Sequence, residues 1–176
     1  MVGVLQSWDF SAGQYAPDVR EIAASTIDRF GADEWKAVLL TNEIHGHLGI
    51  YSTIGAKMGL YARELLGSPL SVLSFAGSKP PVSCLNDGLQ IGSRATLGHG
   101  QIKVADTDKP SVKAVFTAAD GQSITLCLKE QYARQIEKDI QTGVNLDGNS
   151  PAYWQYVREL ALKYWRDWDR KQLFKQ

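Results

Sequence analysis

The chain is poor in sulfur and in histidine, with two cysteines, two methionines and three histidines in 176 residues. Two cysteines without a Cys-x-x-Cys spacing give no disulfide framework and no paired redox thiols. Charge of one sign is also lacking: 19 basic residues balance 19 acidic ones. A nucleic-acid surface normally needs a basic excess or stripe, so no nucleic-acid partner is expected. No apolar run approaches the ~20 residues that span a bilayer, and Met1-Val2-Gly3-Val4-Leu5-Gln6-Ser7-Trp8 lacks the basic start and long apolar core of a signal peptide. A cytoplasmic protein without membrane contact is the expectation. What remains is ordinary for a globular chain, 44% hydrophobic and 22% charged, and its length fits one domain over residues 1–176.

Two of the three histidines fall in Asn42-Glu43-Ile44-His45-Gly46-His47-Leu48-Gly49. Residues two apart lie on nearly opposite faces of an α-helix, so a His-Gly-His triplet aimed at one target belongs to a loop or a helix entry. With Gly46 free in φ and ψ, His45 and His47 can converge just ahead of the following helix. Neutral imidazole is a ready ligand for zinc and its first-row neighbours. A third donor is available in Cys84, which follows the Pro80-Pro81 turn at the start of a short helix, where the dipole favours thiolate. Three protein ligands leave a fourth position open for water or a small molecule. The spacing alone equally allows ordinary surface histidines and a buried, inert cysteine.

Hydrophobic periodicity supplies the frame. Pro17 opens a first helix that Gly31 ends, and Asp33 to Leu40 reads as a second, although Ala37-Val38-Leu39-Leu40 also suits a buried strand. A third helix is expected from His47 to Leu66, with Gly55 and Gly59 marking close approach of a strand or partner helix. Leu70 to Phe75 reads as a buried strand and Val82 to Ser93 as a helix. Strands follow at Gln101–Ala105, Val112–Ala118 and Ser123–Lys129, the last two joined through Asp120-Gly121. On the last strand Cys127 falls opposite the apolar Ile124, Leu126 and Leu128. Gln131 to Thr142, stopped by Gly143, and a helix opened by Ser150-Pro151 close the chain. The terminal aromatic stripe of Trp154, Tyr164 and Trp168, flanked by Tyr156 and Trp165, either covers the sheet or packs across a two-fold interface. The expected fold is α+β: a mixed, mainly antiparallel sheet of about four strands packed with helices, ordered helix-strand-helix-three strands over residues 42–129, plus a C-terminal helical part over 131–176.

His45-Gly46-His47-Leu48, Gly55, Met58-Gly59, Cys84-Leu85-Asn86-Asp87-Gly88 and Thr96-Leu97-Gly98-His99-Gly100 together resemble the FmdE-like family of formylmethanofuran dehydrogenase, in its stand-alone form, from about Asn42 to Lys129. The family's first motif reads His-Gly-His-Leu-Cys-Pro-Gly, whereas this chain has Gly49-Ile50 in place of Cys-Pro. Arg94-Ala95-Thr96 stands where a later family cysteine falls, and no cysteine follows Cys127, so the C-terminal zinc ribbon of many members is not expected here.

The resemblance implies a homodimer and a single metal site on His45, His47 and Cys84, with zinc the expected ion and nickel, iron or another divalent transition metal as alternatives. If the protein is an enzyme, Asp87 and Glu43 are the candidates for a base or for a partner of a ligand, and a small molecule would bind at the metal. His99 is a more remote candidate. Lys79 and Arg94 could hold an anionic group or be plain surface cations. The competing expectations are a non-catalytic accessory or metal-carrier module for a molybdenum or tungsten enzyme, and a dimerising domain with a vestigial site.

Overall fold

The structure is a computed structural model that describes residues 12–147 and 150–176. Met1–Trp8, and Gly148-Asn149 of the polar loop before Ser150, lie outside the described residues. Three helices come first: α1 (Pro17–Phe30), α2 (Ala32–His45) and α3 (Ile50–Leu66). Pro17 begins α1, and Gly31, at φ 89°, separates it from α2. The apolar run 37–40 lies inside α2, with Val38 fully buried, so the strand alternative does not hold.

The sheet begins with β1 (Leu70–Ser74). Helix α4 (Leu85–Ser93), entered through a 3-10 turn at Val82–Cys84, crosses to β2 (Ile102–Val104), and β3 (Lys113–Ala118) and β4 (Ser123–Leu128) form a hairpin. The chain ends with α5 (Glu130–Asp147), α6 (Pro151–Asp167), α7 (Arg170–Leu173) and β5 (Phe174–Lys175). Strand order is β2-β1-β3-β4-β5, parallel between β1 and β2 and antiparallel elsewhere. The expected mixed, mainly antiparallel α+β fold is therefore present, with five strands in place of about four. The extra one, β5, is a two-residue edge in which Phe174 pairs with Leu128. So short a strand leaves no periodic signal.

Helix α5 does not stop at Gly143. It continues to Asp147 because α6 packs there: a Cβ on Gly143 would stand 2.6 Å from the Tyr156 ring. The glycine serves contact between helices rather than helix termination. Ser150 caps α6 by accepting from the Tyr153 N–H at 3.1 Å.

Four glycines set the position of α4. A Cβ on Gly55 would lie 2.2 Å from the Leu85 carbonyl oxygen, and one on Gly59 would lie 2.5 Å from the Ser93 nitrogen. From the other side, a Cβ on Gly88 would lie 2.1 Å from the Ser52 oxygen and one on Gly92 2.2 Å from the Ala56 oxygen. Helices α3 and α4 thus meet backbone to backbone, and the cost of Gly55 and Gly59 to helix propensity, roughly 1 kcal/mol each, is recovered in contact.

Behind α3 lies a buried ionic cluster. Lys57, 1% exposed, donates to Glu34 Oε1 at 2.5 Å and to the Trp165 and Trp168 carbonyls at 3.1 and 2.7 Å. Arg170 reaches the other Glu34 oxygen at 2.9 Å. Burial lowers the Lys57 pKa, and Glu34 works against that shift. These bonds satisfy the carbonyls at the end of α6 and dock α7. The aromatic stripe is largely core: Tyr164 and Trp165 are buried, and Trp165 stacks on Trp35 with ring centroids 4.2 Å apart. Only Trp154, half exposed, departs from that pattern.

Candidate functional site

The His-Gly-His triplet is a helix exit, not a helix entry. His45 is the last residue of α2, Gly46 takes the left-handed conformation at φ 81° that ends it, and α3 starts at Ile50 rather than His47. A glycine just past a helix commonly adopts this geometry because it has no Cβ to clash. The turn is held from inside by Asn42. Its amide donates to the Val38 carbonyl at 2.9 Å and the Thr53 hydroxyl at 3.1 Å, while its oxygen accepts from the Gly49 N–H at 2.9 Å and Ser52 Oγ at 2.8 Å. One buried side chain therefore fastens the end of α2 to the beginning of α3. Asn42 opens the motif in the sequence, but nothing in its spacing reveals that role.

The turn sets the two imidazoles side by side, with ring centroids 4.4 Å apart. His45 Nδ1 lies 2.7 Å from Asp87 Oδ2, so its N–H donates to the carboxylate. That bond places the proton on Nδ1 and leaves a lone pair on Nε2, the arrangement by which carboxylates orient metal-binding histidines. Nε2 is buried and has no hydrogen-bond partner. It looks toward Gly49, where a Cβ would stand 3.4 Å from it and 2.6 Å from Ser52 Oγ. A buried polar atom without a partner costs about 1–3 kcal/mol, so this nitrogen is the least settled atom of the site.

His45, His47 and Cys84 line one cavity of about 340 Å3, formed where the start of α3, the Pro80-Pro81 turn, α5 and α6 meet. The Asp87 carboxylate reaches this cavity only through His45, and its side chain is 41% exposed. Partial burial, then the neighbouring His45, lowers the His47 pKa, which keeps that imidazole neutral at pH 7. Burial, then the Asp87 charge, pushes the Cys84 thiol up. Both effects oppose the pull of a helix start toward thiolate, and the free sulfur is a thiol at neutral pH.

The remaining candidates scatter. Glu43 lines a second cavity, of about 380 Å3, on the far side of His47 with Asn42 and Arg158. His99 is exposed and bonded to Thr96 Oγ1 at 3.1 Å. Lys79 is exposed, and Arg94, at φ 64°, ends α4 beside Arg63 and Lys36. Among the described residues, no group of three or more His, Cys, Asp or Glu side chains is arranged to hold a metal ion. Two nitrogen donors are adjacent, and the sulfur shares their cavity without closing on them. Trp154, missed as a site residue because it reads as part of the aromatic stripe, stands edge-on to His47 with centroids 5.9 Å apart.

Comparison with known proteins bears on this arrangement. An 85-residue stretch is 27% identical to a protein of Archaeoglobus fulgidus described as "Probable S-adenosyl-L-methionine-binding protein". That match covers 46% of this chain and 23% of the relative, so it spans less than a quarter of the relative's length. A family model described as "FmdE, Molybdenum formylmethanofuran dehydrogenase operon" matches residues 44–175, which include the histidine turn, α4 and the whole sheet. With three-quarters of its length so matched, the chain belongs to the FmdE family.

Proposed function

We propose that this FmdE protein is a metal-dependent protein, with an enzyme favoured over a carrier, whose ion binds His45 Nε2 and His47 and recruits Cys84 as third donor. The observation that carries the reading is the state of His45: Nδ1 is fixed by Asp87, while Nε2 is buried without a partner beside a second, neutral imidazole. A donor set of two nitrogens and one sulfur suits zinc best, with nickel and iron as alternatives. The fit is partial, because the sulfur has to turn toward the imidazoles and lose its proton to complete the set.

A bound divalent ion would supply Lewis acidity toward a carbonyl or a water molecule. The chain's own part is to orient His45 through Asp87, hold the turn through Asn42, and exclude water with the cavity's apolar wall. An open cavity next to the histidines supports a site that takes a small molecule; a structural zinc would be enclosed by protein ligands. S-adenosylmethionine fits this cavity poorly, since no Lys, Arg, Asp or Glu is among its described lining residues to meet the carboxylate and ammonium of such a ligand. Association into a homodimer belongs to the same proposal, and sedimentation would test it.

Elemental analysis of protein purified without an affinity metal decides the reading. The expected result is near one metal per chain, or one zinc taken up on addition, and loss of that metal in His45→Ala, His47→Ala and Cys84→Ala. Wild-type protein that holds no metal and takes up no zinc contradicts it.

A further inference from the structure

The walls of the histidine cavity restrict what it can hold. Its polar groups, His45, His47 and Cys84, are the candidate donors, while Ile50, Pro80, Ile140, Val157 and the rings of Tyr153 and Trp154 form much of the rest. No charged side chain is among the described lining residues. Burial first, and then the Glu137 charge, raise the pKa of Tyr51, which also lines it, so its phenol carries no charge. At about 340 Å3 the space lies at the small end of ligand cavities, roughly 300–1,000 Å3. A phosphate, sulfate or carboxylate on the body of a ligand would enter this space without a counter-charge, and an uncompensated buried charge is strongly disfavoured.

Trp154 points the same way. It lies on the first turns of α6, directed there by the Ser150 cap and Pro151, and it is 50% exposed while touching both His47 and Tyr153 edge-on. A ligand that fills the cavity would bury more of this half-exposed aromatic surface on its rim. From these observations we infer that the site accepts an uncharged, mainly apolar small molecule whose one polar end carries both an N–H or O–H, to donate to His45 Nε2, and a lone pair that a bound ion would take, and whose body packs on Trp154 and Val157. This specificity rests on the proposed site, yet it is a property of the walls and does not require the metal.

The test uses three probes on the full chain at pH 8, where an imidazole with pKa near 6.5 is uncharged. They are 4-phenylimidazole, imidazole itself, and 4-(4-carboxyphenyl)imidazole, which has the same body with an added charge. Calorimetric titrations are run on metal-stripped and on zinc-treated protein, for wild type and for Trp154→Ala, a substitution at a half-exposed position that leaves the fold in place. The expected result is binding of 4-phenylimidazole at least about tenfold tighter than either comparator, with that advantage reduced several-fold in Trp154→Ala.

Equal or tighter binding of the carboxylated probe overturns the inference, and so does an affinity for 4-phenylimidazole that Trp154→Ala leaves unchanged. If zinc fails to bind but stripped protein still prefers 4-phenylimidazole, the metal reading falls and the ligand class stands. If zinc binds while 4-phenylimidazole is no better than imidazole in either form, the ligand class falls and the metal reading stands.

Discussion

Two largely enclosed ionisable groups, Lys57 within α3 and His45 at the end of α2, are treated differently by the protein. Lys57 is completely enclosed, and Glu34, two helix-end carbonyls and the Phe30 ring, whose centroid is 4.4 Å from Nζ, surround its ammonium. His45, 11% exposed, receives one partner at Nδ1 and none at Nε2. The first arrangement is structural, since every charge has a counterpart and Lys57, Glu34 and Arg170 spend their polar atoms on one another and on helix-end carbonyls. The second keeps a lone pair in reserve beside apolar walls, which is what a binding site requires and a structural cluster avoids.

Lys57 is where the difference should show most strongly. Replacing it with alanine leaves Glu34 buried with Arg170 alone, and we expect a stability loss of about 3–5 kcal/mol in chemical denaturation, with little change in zinc affinity per folded molecule. Gly88→Ala comes next. Its Cβ has no room against the Ser52 oxygen, so α4 must shift, at about 1–3 kcal/mol of stability. Because α4 carries Asp87, the same substitution should also weaken zinc binding, which joins the two regions through one glycine.

Asp87→Asn probes the histidine side alone. The side chain is partly exposed, so stability should move by no more than about 0.5 kcal/mol, while zinc affinity measured against a competing chelator falls about 10- to 100-fold. A gain of function is expected from Gly49→Cys combined with Ser52→Ala, which clears the oxygen 2.6 Å from the new Cβ. A thiol placed there next to His45 Nε2 should raise zinc affinity by about tenfold.

The smallest effect concerns the ion pair between Asp18 and Arg158, at 2.6 Å, which fastens α1 to α6 and bonds to neither Lys57 nor His45. The hydrogen bonds from Arg158 hold the Asp18 pKa below 3.8. Its contribution is therefore complete above pH 3.8 and is lost as pH falls through the lower folded value. Both side chains are about a third exposed, so Asp18→Asn should cost about 0.5 kcal/mol at pH 7, and that cost should shrink as pH is taken progressively below 3.8.

Much of this architecture is legible in the sequence because it follows from local chemistry. Proline at a helix start and Asp-Gly in a hairpin each have one economical reading, and α1 and the β3–β4 hairpin follow from them; the paired glycines of α3 signal a close approach, by a strand or a helix, that the structure assigns to α4. Elsewhere tertiary contact overrides the local signal. Gly143 looks like a helix stop until Tyr156 is seen against it, and Trp165 looks peripheral until Trp35 is stacked on it. Lys57 carries no mark of burial in its neighbourhood, since its partners lie on α2, α6 and α7. Within the site, the histidines and Cys84 are visible as donors and Asp87 as a nearby carboxylate. The identity of the imidazole that Asp87 holds, and the half-exposed Trp154 beside it, depend on helix packing that no spacing encodes.

If the site binds metal, His45 Nε2 is the donor held in reserve for it. Nitrogen-resolved NMR of the histidine rings, recorded as zinc is added to metal-free protein, reads that atom itself. His45 Nδ1 is expected to keep its proton against Asp87 throughout while Nε2, together with a ring nitrogen of His47, shifts to a metal-bound position. An Nε2 resonance unmoved by saturating zinc, or a proton on Nε2 from the outset, would contradict this.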